Sequence, residues 1–130
     1  MKKQICNRMS EKLYSLNELV PLASSIKEIG VLNNVITLGD FASAFFYVEV
    51  NMYYVEYLLV NPKVYNFIRK YNKTAFDECG SYKIITGEGI FGNLWGAVVC
   101  VSKKIDENTM CLYSRVDSEY PLVFKVKFLF

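Results

Sequence analysis

The glycines between Gly87 and Gly92 form a pattern whose residue types and spacing point to chemistry. The segment reads Gly-Glu-Gly-Ile-Phe-Gly, which fits the G-x-G-x-x-G spacing of phosphate-binding loops. In a dinucleotide-binding site a helix begins at such a loop, and its N-terminus holds the pyrophosphate. Here the β-rich run Leu94–Val101 follows instead. We therefore expect these glycines to form turns. The alternative is that the segment belongs to a small nucleotide- or phosphate-binding module, in which Lys103 or Lys104 would also contact the phosphate.

The absence of histidine removes many kinds of catalytic site. Ser-His-Asp and Cys-His nucleophile pairs, His-containing zinc sites and the H-R-D loop of protein kinases all require the imidazole. The four cysteines, Cys6, Cys79, Cys100 and Cys111, include no C-x-x-C pair, which is the usual spacing of zinc and redox sites. We therefore predict reduced, mostly buried thiols, no metal site and no cofactor.

Acid–base catalysis would need two carboxyl groups that converge in a pocket. The neighbouring acids are Asp77 with Glu78, Asp106 with Glu107, and Asp117 with Glu119. Each pair is more typical of a solvated loop, because Asp and Glu are mostly exposed. We therefore predict that the protein is not an enzyme.

Length and composition indicate one domain. The chain has 130 residues and a mass of 15.0 kDa, with 52% apolar residues, 22% charged residues and a net charge of +2. These values exclude a disordered chain and a polybasic nucleic-acid-binding arm. The ten Tyr, nine Phe and one Trp suit a large core and contacts between proteins. We predict protein partners and no sequence-specific binding of nucleic acid.

Neither a signal peptide nor a membrane partner is predicted. The first residues, Met1–Arg8, are too polar for a signal peptide. The apolar stretch at 41–60 is interrupted by Glu49, Asn51 and Glu56, so it does not read as a transmembrane helix. We therefore expect synthesis in the cytoplasm.

The first third of the chain has the pattern of broken helices. Residues 1–36 are predicted as a helical N-terminal segment of the single domain 1–130, in which 37–130 form an α+β core. Ile26 and Ile29 would lie on the buried face of a helix that ends at Gly30, because they are spaced by one helical turn. Asn33 and Asn34 would then form a turn.

Residues 37–72 predict a helix, a buried strand and a second helix. Thr37 and Asp40 have the spacing of a capping box, and the apolar residues that follow recur on one helical face: Phe41, Ala44, Phe45, Val48 and Met52. Residues 53–60 are apolar at nearly every position, which is typical of a central strand. Asn61 followed by Pro62 is a helix-start signal and predicts a helix over 62–72.

From residue 82 onward the apolar period changes to two. Strands are predicted at 82–86, 94–101 and 109–114, with a hairpin turn at Asp106-Glu107-Asn108 between the last two. The predicted class is α+β, with helices packed on a mostly antiparallel sheet.

The C-terminal run is predicted as a half-exposed strand. It alternates between an apolar face and a face with Lys125 and Lys127, and the apolar face contains Phe124, Val126, Phe128 and Phe130. Such a strand either pairs inside the sheet or adds to the sheet of a neighbouring subunit. We therefore assign these four residues to a subunit interface.

Several short segments occur in an order seen in one protein family. They are Val60-Asn61-Pro62-Lys63-Val64-Tyr65, Gly92-Asn93-Leu94-Trp95-Gly96-Ala97-Val98-Val99, Ser102-Lys103-Lys104-Ile105-Asp106 and Met110-Cys111-Leu112-Tyr113. Their order resembles the C-terminal part of tailed-phage major capsid proteins and encapsulins, which share one shell fold, the Hong Kong 97-like fold. The similarity covers roughly residues 40–115. Asp106 stands where the family usually has proline.

The resemblance implies a shell-forming domain in a minimal version, because complete capsid subunits are longer. In that fold Asn61, Pro62, Gly92, Trp95 and Gly96 would be structural motif residues. The implied function is that of a structural, self-assembling or shell-associated protein. Its partners would be further copies or other shell proteins, and its location a virion or capsid-like shell.

Overall fold

The computed structural model describes residues 25–51, 53–70, 76–78, 89–114 and 122–130. These residues form two α-helices and seven strands. The helices are α1 (Leu38–Glu49) and α2 (Pro62–Arg69). The strands are β1 (Ser25–Gly30), β2 (Tyr57–Val60), β3 (Phe76–Glu78), β4 (Gly89–Leu94), β5 (Ala97–Val101), β6 (Thr109–Ser114) and β7 (Leu122–Leu129).

Some predictions lie outside the described residues. They concern residues 1–24 with Cys6, and also Met52, the last two residues of the helix predicted over 62–72, Cys79, the strand at 82–86, Gly87, and the pair Asp117 and Glu119.

The described strands form a single mixed sheet in the order β1-β7-β6-β2-β5-β4-β3. β1 runs parallel to β7, and β2 runs parallel to β5. The other four pairings are antiparallel. The predicted α+β class is therefore confirmed.

β2 lies between β5 and β6, which corrects the hairpin predicted across Asp106-Glu107-Asn108. A turn does form there, since the Thr109 amide donates to the Asp106 carbonyl at 3.0 Å. Leu59, however, has Cys100 on one side and Cys111 on the other. A strand that is apolar on both faces is stabilised at the centre of a sheet, where both of its edges are paired. β2 takes that place, and the two later strands pair with it instead of with each other.

The prediction of a helix for residues 25–30 was wrong, because β1 pairs with β7 along its whole length. Ile29 lies opposite Phe128 and is half-buried, whereas Ile26 is 64% exposed. The apolar spacing of this segment fits a helix only locally. A parallel ladder with a strand near the other end of the chain is a long-range interaction that periodicity does not register. Asn33 and Asn34 have positive φ angles and form the predicted turn.

Both helix starts follow the predicted signals. The Asp40 amide donates to the Thr37 hydroxyl at 3.2 Å, and the Thr37 amide donates to the Asp40 carboxylate at 2.9 Å, which completes the capping box. At α2 the Asn61 side chain accepts from the Lys63 amide at 2.9 Å, and Pro62 occupies the first turn. Local side-chain chemistry therefore fixes where each helix begins.

The strand predicted over 94–101 is divided into β4 and β5 by a two-residue turn. Trp95 and Gly96 form this turn with φ angles of 48° and 85°. Positive φ at both positions is typical of the hairpin turns that match the twist of the strands, and Asn-Gly is their usual sequence. A tryptophan at the first position gives no such signal, so the turn was not predicted.

The main core lies between the helices and one face of the sheet. The inner face of α1 consists of Phe41, Ala44, Phe45 and Val48, all buried as predicted. The edge of the Phe41 ring meets the Phe128 ring at 5.9 Å between centroids. Val64 and Ile68 of α2 are buried in the same cluster. The two helices thereby hold β2, β6 and β7 in a common core.

Candidate functional site

Four of the five motif residues implied by the capsid resemblance lie at opposite ends of the pair β2 and β5, and the fifth, Gly92, lies within β4. Asn61 and Pro62 follow the end of β2, where the Asn61 amide nitrogen also donates to the Ile105 carbonyl at 2.7 Å. Trp95 and Gly96 precede β5, and β2 and β5 run in the same direction. Gly92 has a φ of 152° and lies at a register shift between β4 and β5. The structure therefore gives these residues local roles and does not bring them together in one site.

The described part of the glycine-rich segment is a strand. Gly89 pairs with Val101 and Gly92 with Val99, so this stretch forms β4. The helix that a dinucleotide site needs does not follow it, because the next element is β5. Lys103 and Lys104 are exposed in the turn after β5. The expectation that turn glycines explain the pattern was wrong for Gly89 and Gly92, which lie in a strand.

Of the predicted acidic pairs, the structure describes the side chains of Asp106 and Glu107, which lie in an exposed turn. Asp106 and Glu107 are exposed, and Glu107 approaches the Lys63 amino group at 3.9 Å on the surface. An exposed pair of this kind contributes little to stability. Asp77 and Glu78 lie on the edge strand β3. In the described part of the chain, no group of three or more cysteine or acidic side chains is placed to hold a metal ion.

Two cysteines lie on the sheet face opposite the main core. Cys100 and Cys111 are free thiols and fully buried. They flank Leu59 on neighbouring strands and are thus two strand spacings apart, roughly 9.5 Å, which is too far for a disulfide. Burial raises the pKa of the Cys100 thiol, and it raises the pKa of Cys111 to about 11 although the Lys125 charge acts in the opposite direction. For these two residues the prediction of burial is confirmed, and their reduced state stays a prediction.

Three of the four residues assigned to a subunit interface lie in the chain's own core. Phe124, Val126 and Phe128 are at most 6% exposed, and β7 has a neighbouring strand on each side. Phe130 is 45% exposed and lies against the Phe67 ring, with the Lys63 amino group 4.9 Å from its own ring centroid. The strand pairs inside the sheet, the first of the two predicted arrangements. Of these four side chains, this fold leaves Phe130 accessible.

The outer face of α1 is defined here as Ala42, Ser43, Phe46 and the C-cap residue Val50. It is exposed and, apart from the Ser43 hydroxyl, which donates to the Gly39 carbonyl, apolar. Phe46 is 65% and Val50 is 59% exposed. A groove of about 490 Å³ runs along this face and is closed on one side by Lys27 and Tyr47. The Lys27 amino group lies 5.2 Å from the centroid of the Tyr47 ring. The helix carries apolar side chains both toward the sheet and away from it.

A second groove, of about 370 Å³, lies where the end of α1 meets the β4–β5 turn. We call it the Trp95 groove. Its lining includes the aromatic residues Phe45, Tyr54 and Trp95 and the acids Glu49 and Glu56. Tyr54 is 61% and Trp95 is 44% exposed. Aromatic and acidic groups therefore share one concave surface.

Sequence reasoning missed both surfaces, although one signal was present. Between Phe41 and Val48 the sequence of α1 has no charged residue, whereas a surface helix normally has a charged outer face. That absence indicates that the outer face is apolar as well. The Trp95 groove had no comparable signal, because it joins three segments that are distant in sequence.

Among the described residues, neither helix is long and apolar enough to cross a membrane. No protein-family model matches the chain, and neither the curated proteins nor the solved structures contain a significant match to it. The resemblance to the capsid shell fold therefore stays a prediction. What the structure establishes is an α+β domain with one mixed sheet.

Proposed function

We propose that this protein is a structural, self-associating subunit whose copies meet across the outer face of α1. The observation that carries the proposal is the uncharged stretch of α1 at residues 41–48, which has apolar side chains both against the sheet and on the exposed side of the helix. A helix of that composition is typical of a buried position. Monomeric proteins seldom leave a continuous apolar surface of this kind in water.

A second copy of the chain suits this surface better than a charged partner. The four residues of the face are uncharged, and among the residues that line the groove only Lys27, at its side, has a charge. Two copies can therefore approach across a two-fold axis with their uncharged faces in contact. It also combines the large side chain of Phe46 with the small Ala42 and Ser43, which lets a ring from one subunit enter the groove of the other. Antiparallel packing of the two helices would place their dipoles in opposite directions.

The free energy gained at this contact decides whether it can hold two subunits together without further contacts. Burying Phe46 and Val50 in each of two subunits contributes about 1.5–3 kcal/mol per side chain. Association costs about 4–15 kcal/mol of translational and rotational freedom. The contact alone therefore gives a weak dimer, and several contacts per subunit are needed for a stable assembly. Shells are built in this way, so the proposal extends to the structural role that the capsid resemblance implies.

The test compares the full chain with two variants. Phe46→Glu keeps a good helix former at an exposed position but adds a charge to the outer face of α1. Leu32→Glu is the matched control, because Leu32 is 84% exposed and lies outside that face. Sedimentation and light scattering over a wide concentration range should show association of the wild type and of Leu32→Glu, with Phe46→Glu monomeric at an unchanged melting temperature.

Electron microscopy of concentrated wild-type protein examines the shell role directly. A wild type that stays monomeric at every concentration would overturn the proposal. So would a Phe46→Glu variant that associates like the wild type.

A further inference from the structure

The Trp95 groove is formed by three segments that meet at one end of the sheet. The last turn of α1 supplies Phe45 and Glu49, and the segment that enters β2 supplies Tyr54 and Glu56. Trp95 comes from the β4–β5 turn. Its volume of about 370 Å³ lies within the range of small-molecule sites.

Trp95 is held in a position that is unfavourable for its side chain. Its φ of 48° is in the left-handed region, where glycine and asparagine are common and bulky residues are rare. The edge of one ring meets the face of the other in the pair Phe45 and Trp95, at 5.1 Å between centroids and 88° between planes. This contact fixes the indole in the groove while leaving it 44% exposed. A rigid, accessible ring is a prepared binding surface.

The charge of the groove favours a cation. Glu49 and Glu56 belong to its lining, and the described lining residues include no lysine or arginine. The chain as a whole has a charge of +2, so this acidic patch is opposite in sign to the molecule. Clefts of one charge concentrate ligands of the other.

The aromatic residues determine which kind of cation fits. A weakly hydrated organic cation is attracted to the faces of Trp and Tyr rings, and quaternary ammonium groups are the ligands typical of such sites. A hard metal ion instead requires several oxygen ligands around it. We propose that the Trp95 groove binds a methylated ammonium group, with Trp95 and Tyr54 in contact with its methyl groups and Glu49 and Glu56 balancing its charge. The ligand is a small molecule of the choline type.

This proposal is independent of self-association. The groove uses Phe45 and Glu49 of α1, whereas the outer face of α1 consists of other residues. Either proposal can fail without the other.

Ligand binding can be measured with the full chain, because Trp95 is its one tryptophan. Titration with choline should change the indole fluorescence and saturate. The uncharged isostere neohexanol, in which carbon replaces the nitrogen, should bind at least tenfold more weakly. Equal binding of choline and neohexanol would overturn the proposal, and so would no binding of choline at millimolar concentration.

A second arm distinguishes the sources of the methylated ammonium group. If the groove recognises the ammonium group alone, the dissociation constant of N-acetyl-trimethyllysine amide should be within threefold of that of choline. Binding more than tenfold tighter than choline would overturn the small-molecule assignment in favour of a modified lysine on another protein.

The variants separate binding from folding. Trp95→Asn replaces the ring with the residue that suits the turn. It should lose choline binding by calorimetry, with a melting temperature no lower than that of the wild type. Glu56→Gln should weaken choline binding threefold or more, and Glu107→Gln, a distant exposed acid, should not change it. Unchanged affinity in Trp95→Asn would contradict the assignment.

Discussion

Asn61 performs two tasks with one side chain. Its carbonyl oxygen accepts from the Lys63 amide and caps α2, and its amide nitrogen donates to the Ile105 carbonyl. The first bond is local and was predicted from the Asn-Pro sequence. The second bond joins residues far apart in the chain, and no local pattern could predict it.

Asn61→Ala should lower the free energy of unfolding by about 2 kcal/mol, since a cap and a partly buried hydrogen bond each contribute about 1 kcal/mol. Asn61→Asp is the matched control, because a carboxylate still caps the helix but cannot donate to Ile105. Urea denaturation should place Asn61→Asp between the wild type and Asn61→Ala. If both variants were as stable as the wild type, the two bonds would not contribute to stability.

The thiols on the second face of the sheet make stability depend on alkaline pH. Burial raises the pKa of Cys100 and of Tyr113, and it raises that of Cys111 from its ordinary value of 9.0 to about 11. Above pH 9 the unfolded chain therefore releases protons that the folded chain retains. The free energy of unfolding should be insensitive to these groups below pH 8 and fall as the pH rises above 9.

Cys100→Ala isolates one of these groups. Between about pH 9 and pH 11 each proton that only the folded chain retains lowers the free energy of unfolding by about 1.4 kcal/mol for every unit that the pH rises. Urea denaturation across this interval should give a shallower decline for the variant than for the wild type, whatever its stability at neutral pH. Equal slopes would show that the thiol ionises in the folded protein.

Among the elements, β7 connects α1 with the sheet. It pairs with β1 and β6, and its inner residues contact rings of α1. Its alternation predicted which side chains lie on the apolar face, but not that three of them, Phe124, Val126 and Phe128, would be buried in the core of the same chain. That outcome depends on where the helix packs, which is a property of the whole fold.

Phe128→Ala and Phe130→Ala test this element with one residue type in two environments. Phe128 is fully buried, whereas Phe130 is 45% exposed. Phe128→Ala should lower the free energy of unfolding by about 3–5 kcal/mol. Phe130→Ala should cost well under half of that, as measured by urea denaturation. Similar losses would mean that Phe128 is not part of the core.

Helix starts and helix faces were predictable because their signals lie within a few residues, as in the Thr37–Asp40 box. Strand partners were not. The neighbours of β2 and the partner of β1 are segments far away in the sequence, and local periodicity does not identify them. The turn at Trp95 was not predicted for a different reason, because tryptophan is not a residue that this type of turn prefers at its first position. The same unusual residue, Trp95, lines the groove that sequence reasoning missed.

At the scale of the whole molecule, long-range pairing dominates. Ser25 lies opposite Phe124, and β2 must enter between two strands that follow it in the chain. Folds rich in such contacts close large loops before they gain stability, so they fold slowly.

Refolding should therefore take milliseconds to seconds. Stopped-flow dilution from urea can follow it through Trp95 fluorescence, because the indole packs on Phe45 only when α1 meets the β4–β5 turn. Far-ultraviolet circular dichroism should report the same rate if the sheet and helices form together. Complete refolding within microseconds would contradict the pairing described here.

The parallel pairing of β1 with β7 has a mechanical consequence. When a force pulls the start of β1 away from the end of β7, the two strands must slide past each other along their length. Every hydrogen bond of the ladder then carries the load at the same time, whereas an antiparallel hairpin pulled at its open ends breaks one bond after another. Tension applied between these two points is thus resisted by the whole ladder, and the sheet yields there only when all six paired positions give way together.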